Sequence, residues 1–344
     1  MKVGIIGASG YGGLELMRLL HHHPEVQKID LYTSSEEGTL FSMKYPHTTK
    51  LYDQPLLKID QAQLTNYDVL FASTPAGVTS RLLPPLIGKG PKLIDLSGDF
   101  RLNNVADYEL WYKKTSAPIK AIEQSAYGLT EWNMEAIRQA DLIANPGCYP
   151  TAVLLSLLPI IKERLIDASG LIIDAKSGVS GAGNTPGPMT HFSETNENLT
   201  IYKIHQHQHI PEIEQGIEQF GNYKTPVTFT THLVPMTRGI MTTSYAPLTK
   251  GVTEEVLIDC LKDYYDGRPF IRVMPESAKF STKQVYGSNF CDMHVKVDPR
   301  TNRATIVSVI DNLVKGAAGQ AIQNMNAAFG LEETTGLNQV PLFI

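Results

Sequence analysis

The chain opens with Lys2-Val-Gly-Ile-Ile6, turns through Gly7-Ala-Ser-Gly10-Tyr-Gly-Gly13 and continues in a helical pattern, Leu14-Glu-Leu-Met-Arg-Leu-Leu20. An apolar strand, a glycine-rich turn and a helix in immediate succession make the context in which such glycines are meaningful. They permit a tight turn and a close backbone approach to a pyrophosphate, which rests on the helix N-terminus. The spacing is GxxGxxG rather than GxGxxG, and turns of this kind also occur for packing alone. The motif predicts a Rossmann-like, doubly wound α/β domain, with Gly7, Ser9, Gly10, Tyr11, Gly12 and Gly13 at a dinucleotide.

A second strand is predicted at Lys28-Ile-Asp-Leu-Tyr-Thr33, ending in Ser34 and Ser35. NAD-selective units carry an acid here for the ribose 2′-OH, whereas small hydroxyls leave room for a 2′-phosphate. Ser34 and Ser35 therefore favour NADP, although Glu36 and Glu37 follow at once and would repel a phosphate if they pointed inward. Further strands are predicted at Val69-Leu-Phe-Ala-Ser73 and Lys92-Leu-Ile-Asp-Leu96. Ligands bind beyond the carboxyl ends of such strands. Ser73 and Pro75 are accordingly placed at the cofactor, and Ser97 and Arg101 at the substrate. His21-His22-His23 on a helix point in different directions, so they mark a solvated helix C-terminus rather than a metal site.

The 344 residues suggest two domains. A net charge of −5 argues against nucleic acid or a membrane surface as the main partner. Three cysteines, none in a CxxC pair, fit a reducing cytoplasm rather than a disulfide framework. The strand at the very N-terminus leaves no room for a signal peptide, and no apolar run is long enough to span a bilayer.

Asn145-Pro-Gly-Cys148-Tyr-Pro-Thr151 precedes an apolar helical run. Cys148 lands at the helix N-terminus, where partial positive charge and backbone N–H groups favour a thiolate and can hold an oxyanion. A lone cysteine is otherwise a small buried apolar residue. A strand at Leu171-Ile-Ile-Asp-Ala-Lys176 leads into the glycine-rich loop Ser177-Gly-Val-Ser-Gly181-Ala-Gly183, whose amides suit an anion. Gly181, together with Asn312, is read as a cofactor-binding residue. His205-Gln-His207-Gln-His209 alternates, so an extended segment would place its histidines on one face. A single acid–base histidine is favoured over a metal, with Glu212 or Glu214 orienting it. A hairpin is predicted at residues 289–297 and 304–310, in an antiparallel or mixed sheet. The small-residue stretch at 311–324 reads as a helix.

GASGYGG, LIDLSGDFRL, YGLTEWN, NPGCYPTA, KSGVSGAG, HLVPMTRGI and DNLVKGAAGQAIQN occur in this order from the first strand to the final helix. Together they resemble the N-acetyl-γ-glutamyl-phosphate reductase family of arginine biosynthesis. The resemblance implies NADPH-dependent reductive dephosphorylation of an acyl phosphate to an aldehyde, with Cys148 at the nucleophile position. His207-Gln208-His209-Ile-Pro-Glu212 falls where the family usually reads His-Arg-His-x-Pro-Glu. His209 is favoured over His207 as the acid–base group, and Gly12 is a mild departure. Arg101 is the expected phosphate cation, with Lys176 and Arg238 as weaker candidates for phosphate or an α-carboxylate. Aspartate-β-semialdehyde dehydrogenase and a carrier-dependent lysine-pathway enzyme are related alternatives; a Cys–His hydrolase and a redox sensor are unrelated ones. The expected organisation is an NADP-binding domain at 1–147, completed by a helix near 312–330. A catalytic and oligomerisation α+β domain at 148–311 follows, in a homodimer or homotetramer.

Overall fold

The opening strand, β1 (Lys2–Ile6), lies between β2 (Lys28–Thr33) and β4 (Val69–Ala72), parallel to both. With β3 (Leu57–Lys58), β5 (Lys92–Asp95), β6 (Ser125–Tyr127) and β7 (Leu142–Ala144) it completes an all-parallel sheet of order β3-β2-β1-β4-β5-β7-β6. The chain leaves β1 toward one side and returns on the other, which opens a crevice at the carboxyl ends of β1 and β4. Val3, Ile5, Ile6 and all of β4 are fully buried. This double-sided burial explains why these strands read as continuous apolar runs. The structure, a computed structural model, describes residues 1–344. One compact unit comprises Met1–Pro146 with Ala317–Leu337, and a second comprises Gly147–Gly316 with Asn338–Ile344.

The last helix, Gly319–Ala328, belongs to the first unit. It begins later than the pattern predicts, because residues Val314–Ala318 form a wider turn first. Several of its buried polar side chains are bonded across to the strand and turn around residues 128–145. Asn324 donates to the Gly128 carbonyl at 2.8 Å and to Asn145 Oδ1 at 3.0 Å, and accepts from Thr130 Oγ1 at 2.7 Å. Gln320 donates to Thr130 Oγ1 at 2.7 Å. A buried amide without such partners costs about 1–3 kcal/mol, so the network fixes one register for the helix. The histidine run departs from expectation. His21 and His22 are exposed, but His23 is buried, 2.9 Å from Asn326 Oδ1 through Nε2, and burial holds its pKa below the ordinary range.

The second unit contains a mixed sheet of order β12-β13-β14-β11-β8-β10-β9. Its strands are β8 (Ile172–Gly178), β9 (Thr200–Tyr202), β10 (Thr228–Val234), β11 (Ile240–Pro247), β12 (Ile271–Val273), β13 (Cys291–Asp298) and β14 (Arg303–Ile310). β8–β10 and β12–β13 pair parallel and the rest antiparallel; the predicted hairpin is β13–β14, closed by Asp298 opposite Arg303. Along β11, Ile240, Thr242, Ser244 and Ala246 are buried, while Met241 and Thr243 are half-buried and Tyr245 is exposed. The buried face carries the helix Cys148–Lys162, tied down where Ser308 Oγ donates to the Ala152 carbonyl at 2.8 Å.

Two sequence expectations fail in this unit. The glycine-rich stretch is not an open nest. The amides of Gly178, Val179 and Ser180 donate to the carbonyls of Gly239, Met236 and Thr237 at 2.9–3.1 Å. Gly178 is glycine because an added Cβ would sit 2.8 Å from two of those backbone oxygens, Met236 O and Thr237 O. The alternating histidines are not extended either. His205 is exposed in a left-handed turn (φ 53°), and His209 caps the helix Ile210–Gly221. Pro211 suits the first turn of that helix, which ends any extended run before it.

Candidate functional site

Cys148 is the first residue of its helix, after Gly147 in extended conformation. No side chain caps this helix in the ordinary way. Instead the carboxylate of Glu212, fully buried, accepts the Gly147 N–H at 2.8 Å. Glu212 lies in the first turn of the helix Ile210–Gly221, which packs along the Cys148 helix. Gly216 permits that approach, since a Cβ there would stand 2.6 Å from Leu154 Cδ1. The packing brings the N-termini of both helices together, with Cys148 at one and His209 at the other.

Tyr149, on the other side of Cys148, closes the cluster. Its ring meets His207 and His209 edge-on at centroid distances of 5.5 and 6.1 Å, and its hydroxyl lies 3.1 Å from that of Tyr202. Burial pushes the Tyr202 phenol up to about 12, and the Tyr149 phenol higher still. Both are therefore neutral hydrogen-bonding walls. The histidines divide in role. His207 Nδ1 accepts the His209 backbone N–H at 3.1 Å, which fixes the proton on Nε2. Burial lowers its pKa to about 3, so it stays neutral and holds the turn rather than exchanging protons. His209 Nε2 stands 4.0 Å from the Glu212 carboxylate. Glu214 accepts the Val227 N–H at 2.9 Å through Oε1. Tyr149 and Tyr202 were not foreseen as site residues; the position of Tyr149 beside the cysteine was the available signal.

In the first unit, the glycine turn folds against the end of β4. An added Cβ at Gly7 would meet the Ser73 carbonyl at 2.1 Å, and one at Gly12 would meet Ser73 Oγ at 2.4 Å. Gly13 is equally constrained by Ala8 Cα at 2.6 Å. Gly10 is different. Its backbone is ordinary extended chain, and a Cβ there would meet nothing closer than 3.6 Å. The protein's own packing does not require glycine at this position, and the space beside it at the uncapped N-terminus of Tyr11–Leu20 fits a pyrophosphate. Ser9 is tied through its carbonyl to Tyr45 Oη at 3.0 Å. Ser34, Ser35 and Pro75 are exposed. Glu36 turns to Lys44, 2.6 Å away, so one of the two acids beside a 2′-phosphate is paired with a cation, and Glu37 is exposed. These residues fit a phosphorylated dinucleotide.

The predicted substrate residues are more occupied than expected. Ser97 Oγ lies 2.6 Å from Thr79 Oγ1 and 3.0 Å from Asp95 Oδ2, and accepts the Asp99 N–H at 3.1 Å. It belongs to a buried acidic network, and burial together with Asp99 pushes Asp95 up to about 6. Ser97 is therefore already bonded within the protein, whatever else it meets. Arg101 is buried, donating from Nε to the Asn145 carbonyl at 2.7 Å and from Nη2 to the Leu96 carbonyl at 2.9 Å. It braces the residues leading into the cysteine turn in addition to any anion it meets. Lys176 pairs with Asp174 at 2.6 Å, and Arg238 with the fully buried Asp311 at 3.4 Å. Asn312 accepts the Gly239 N–H at 2.7 Å and donates to Ser180 Oγ at 2.9 Å, and a Cβ on Gly181 would meet Ser177 Oγ at 2.8 Å. Asn312 thus organises the loops around residues 180 and 239.

Residues 2–140 match the semialdehyde dehydrogenase NAD binding domain family, and residues 148–312 match the semialdehyde dehydrogenase dimerisation domain family. The chain is 54% identical to N-acetyl-gamma-glutamyl-phosphate reductase of Geobacillus sp. (strain WCH70) and 53% identical to that of Bacillus subtilis (strain 168). Both alignments cover all of each chain. The chain belongs to the N-acetyl-gamma-glutamyl-phosphate reductase family. Among solved structures, aspartate semialdehyde dehydrogenase II of Vibrio cholerae complexed with ASA aligns with a TM-score of 0.71 at 17% identity, covering 96% of this chain and 98% of that one. Aspartate semialdehyde dehydrogenase of Candida albicans with NADP gives 0.72 at 16%, covering 95% and 97%. At these identities they share the fold. Within the reductase family, the departure at Gln208 has a local partner: its Oε1 accepts from Lys203 at 2.7 Å, a contact an arginine could not accept.

Proposed function

We propose that this chain reduces N-acetyl-γ-glutamyl phosphate to N-acetylglutamate 5-semialdehyde with NADPH and releases phosphate, a step of arginine biosynthesis. The observation that supports it most is Cys148 at the first position of its helix, with Glu212 holding the residue before it and the next residue, Tyr149, packed edge-on against His209. The Cys148 sulfur attacks the acyl carbon, the acyl–oxygen bond breaks, and phosphate leaves with its electron pair, giving a thioester. When bound, NADPH supplies the hydride that reduces the thioester carbonyl. The Gly147 N–H is engaged by Glu212 and Pro150 has none, which leaves the Tyr149 N–H among the first-turn donors for the oxyanion. His209 delivers a proton, and breaking of the carbon–sulfur bond frees the aldehyde and the thiol. Gly7, Ser9, Gly10, Tyr11, Gly12 and Gly13 would hold the pyrophosphate, and Ser34 and Ser35 the 2′-phosphate, while Arg101 would supply the positive charge for the substrate anion.

The reading is tested in the reverse direction, by NADP⁺ reduction at 340 nm. N-Acetylglutamate semialdehyde with phosphate is expected to be preferred over aspartate semialdehyde by at least about a hundredfold in kcat/KM, roughly 2.7 kcal/mol of discrimination. Preference for the aspartyl aldehyde would transfer the chain to the sister activity.

We further propose a homodimer or homotetramer in which a second copy covers the sheet face bearing Met241, Thr243, Tyr245, Thr305 and Val307. A dimerisation family spans this unit, and the half-buried residues of that face alternate with the buried set. Val307 sits between Thr243 and His294 in the register, at the middle of the face. Val307→Arg is expected to lower the mass seen by light scattering to that of a smaller species; an unchanged mass would move the interface elsewhere. No helix is long and apolar enough to cross a membrane, and three free cysteines suit a cytoplasmic setting.

A further inference from the structure

Between β14 and the last helix the chain makes one over-wide turn, Val314–Ala318, in which the Gly316 N–H donates to the carbonyl of Asp311, five residues back, at 3.0 Å. Such π turns are less favourable than α-helix and persist where surrounding structure fixes them, often at functional sites. Here the fixing group is the fully buried carboxylate of Asp311. Its Oδ1 accepts from the amides of Leu313 and Val314 at 2.8 and 3.2 Å, and its Oδ2 accepts from Gly287 N at 2.7 Å and Arg238 Nη1 at 3.4 Å. Gly316 itself has no positive φ, so its backbone does not call for glycine. The demand is steric. An added Cβ would stand 2.8 Å from Cys148 Cβ, 3.3 Å from Cys148 Cα and 3.2 Å from Ile310 Cδ1. Two of these three atoms belong to the nucleophile, and neither is the far end of a flexible side chain.

We propose that Gly316 is a positioning residue: the turn pinned by Asp311 is a backstop for Cys148, and the missing side chain at 316 sets where the sulfur stands. Ordinary carbon–carbon contact lies near 3.6 Å, so one added methyl forces a separation of about 0.8 Å. A displacement of that order at a reacting atom is enough to cost about a hundredfold in rate. The proposal rests on Cys148 being the nucleophile, but one arm of its test, the alkylation rate, does not require the acyl-phosphate substrate.

The test compares Gly316→Ala with wild type in three readouts: kcat, KM for NADPH, and the rate of Cys148 alkylation by iodoacetamide followed by peptide mass. Cys291 is buried, and burial pushes Cys260 up to about 11, so both react slowly and leave Cys148 distinct. We expect kcat to fall thirty- to a hundredfold, KM for NADPH to stay within twofold, and the alkylation rate to change at least tenfold. Gly221→Ala is the matched control for overpacking, with its added Cβ 3.2 Å from Ile161 Cγ2; it should lower Tm and leave kcat within twofold. If Gly316→Ala does not fold, the double variant Ile310→Val/Gly316→Ala, which removes the Ile310 methyl at 3.2 Å, carries the same measurements. Alkylation and kcat both within twofold of wild type would overturn the proposal. So would a double variant that cannot fold, which would make the glycine purely structural. A wild type inactive on the acyl phosphate would sink the substrate reading and leave the alkylation result standing.

Discussion

Cys148→Ala is expected to abolish phosphate-dependent turnover, by at least about four orders of magnitude, roughly 5.5 kcal/mol of barrier. The change removes the only atom that can carry the acyl group, and no neighbouring side chain is a substitute. His207 has its Nδ1 on a backbone amide, and the Tyr149 and Tyr202 phenols are held neutral by burial. The rest of the helix start should survive, because Gly147 stays bonded to Glu212 and Thr151 still donates to the Gly147 carbonyl at 2.9 Å. Tm and NADPH binding are therefore expected to match wild type, so the loss will be chemical. Cys148→Ser should lose nearly as much, since an alcohol is a far weaker nucleophile than a thiolate at neutral pH. Mass spectrometry of quenched enzyme should find an acyl adduct on wild type and none on either variant. Turnover by Cys148→Ala within tenfold of wild type would remove the thioester from the mechanism.

How much of this was legible depended on what each residue had to satisfy. Strands buried on both faces, such as β1 and β4, show themselves as apolar runs, and the hairpin β13–β14 shows itself by alternation and by its turn. β3, of two residues, and β6, β9 and β12, of three each, carry no such pattern; their existence is set by the neighbours they pair with. The histidines at 205, 207 and 209 mimicked the period of a strand, yet Pro211 and Glu212 behind them start a helix. Ser97 shows a different limit. A hydroxyl beyond a strand end looks like a ligand contact, but here Asp99 is buried and satisfied by Gly77 N, Thr79 Oγ1, Ser80 N and Tyr108 Oη, and Ser97 belongs to that same network. Sequence identifies residues able to do chemistry; it does not say which of them the fold has already engaged. Cys148 was legible because a helix start is local, whereas the Gly147–Glu212 bond joins residues 65 apart in sequence.

Glu212 separates two roles that its position combines. One oxygen holds the Gly147 N–H at 2.8 Å; the other stands 4.0 Å from His209 Nε2. Glu212→Ala removes both and leaves a buried N–H without an acceptor, a cost of about 1–3 kcal/mol in stability. It also loosens the residue before the nucleophile, so kcat is expected to fall roughly a hundred- to a thousandfold. Glu212→Gln keeps an oxygen for Gly147 and loses only the charge. Its Tm should stay near wild type and its kcat should drop about tenfold, about 1.4 kcal/mol. His207 is no alternative proton donor, because burial keeps it neutral above about 3. Glu212→Gln with kcat within twofold of wild type would assign Glu212 to positioning alone. Equal collapse of Tm in both variants would mean that Gly147 needs a charged acceptor, since a helix start with one amide engaged from outside gains more from a carboxylate than from an amide oxygen.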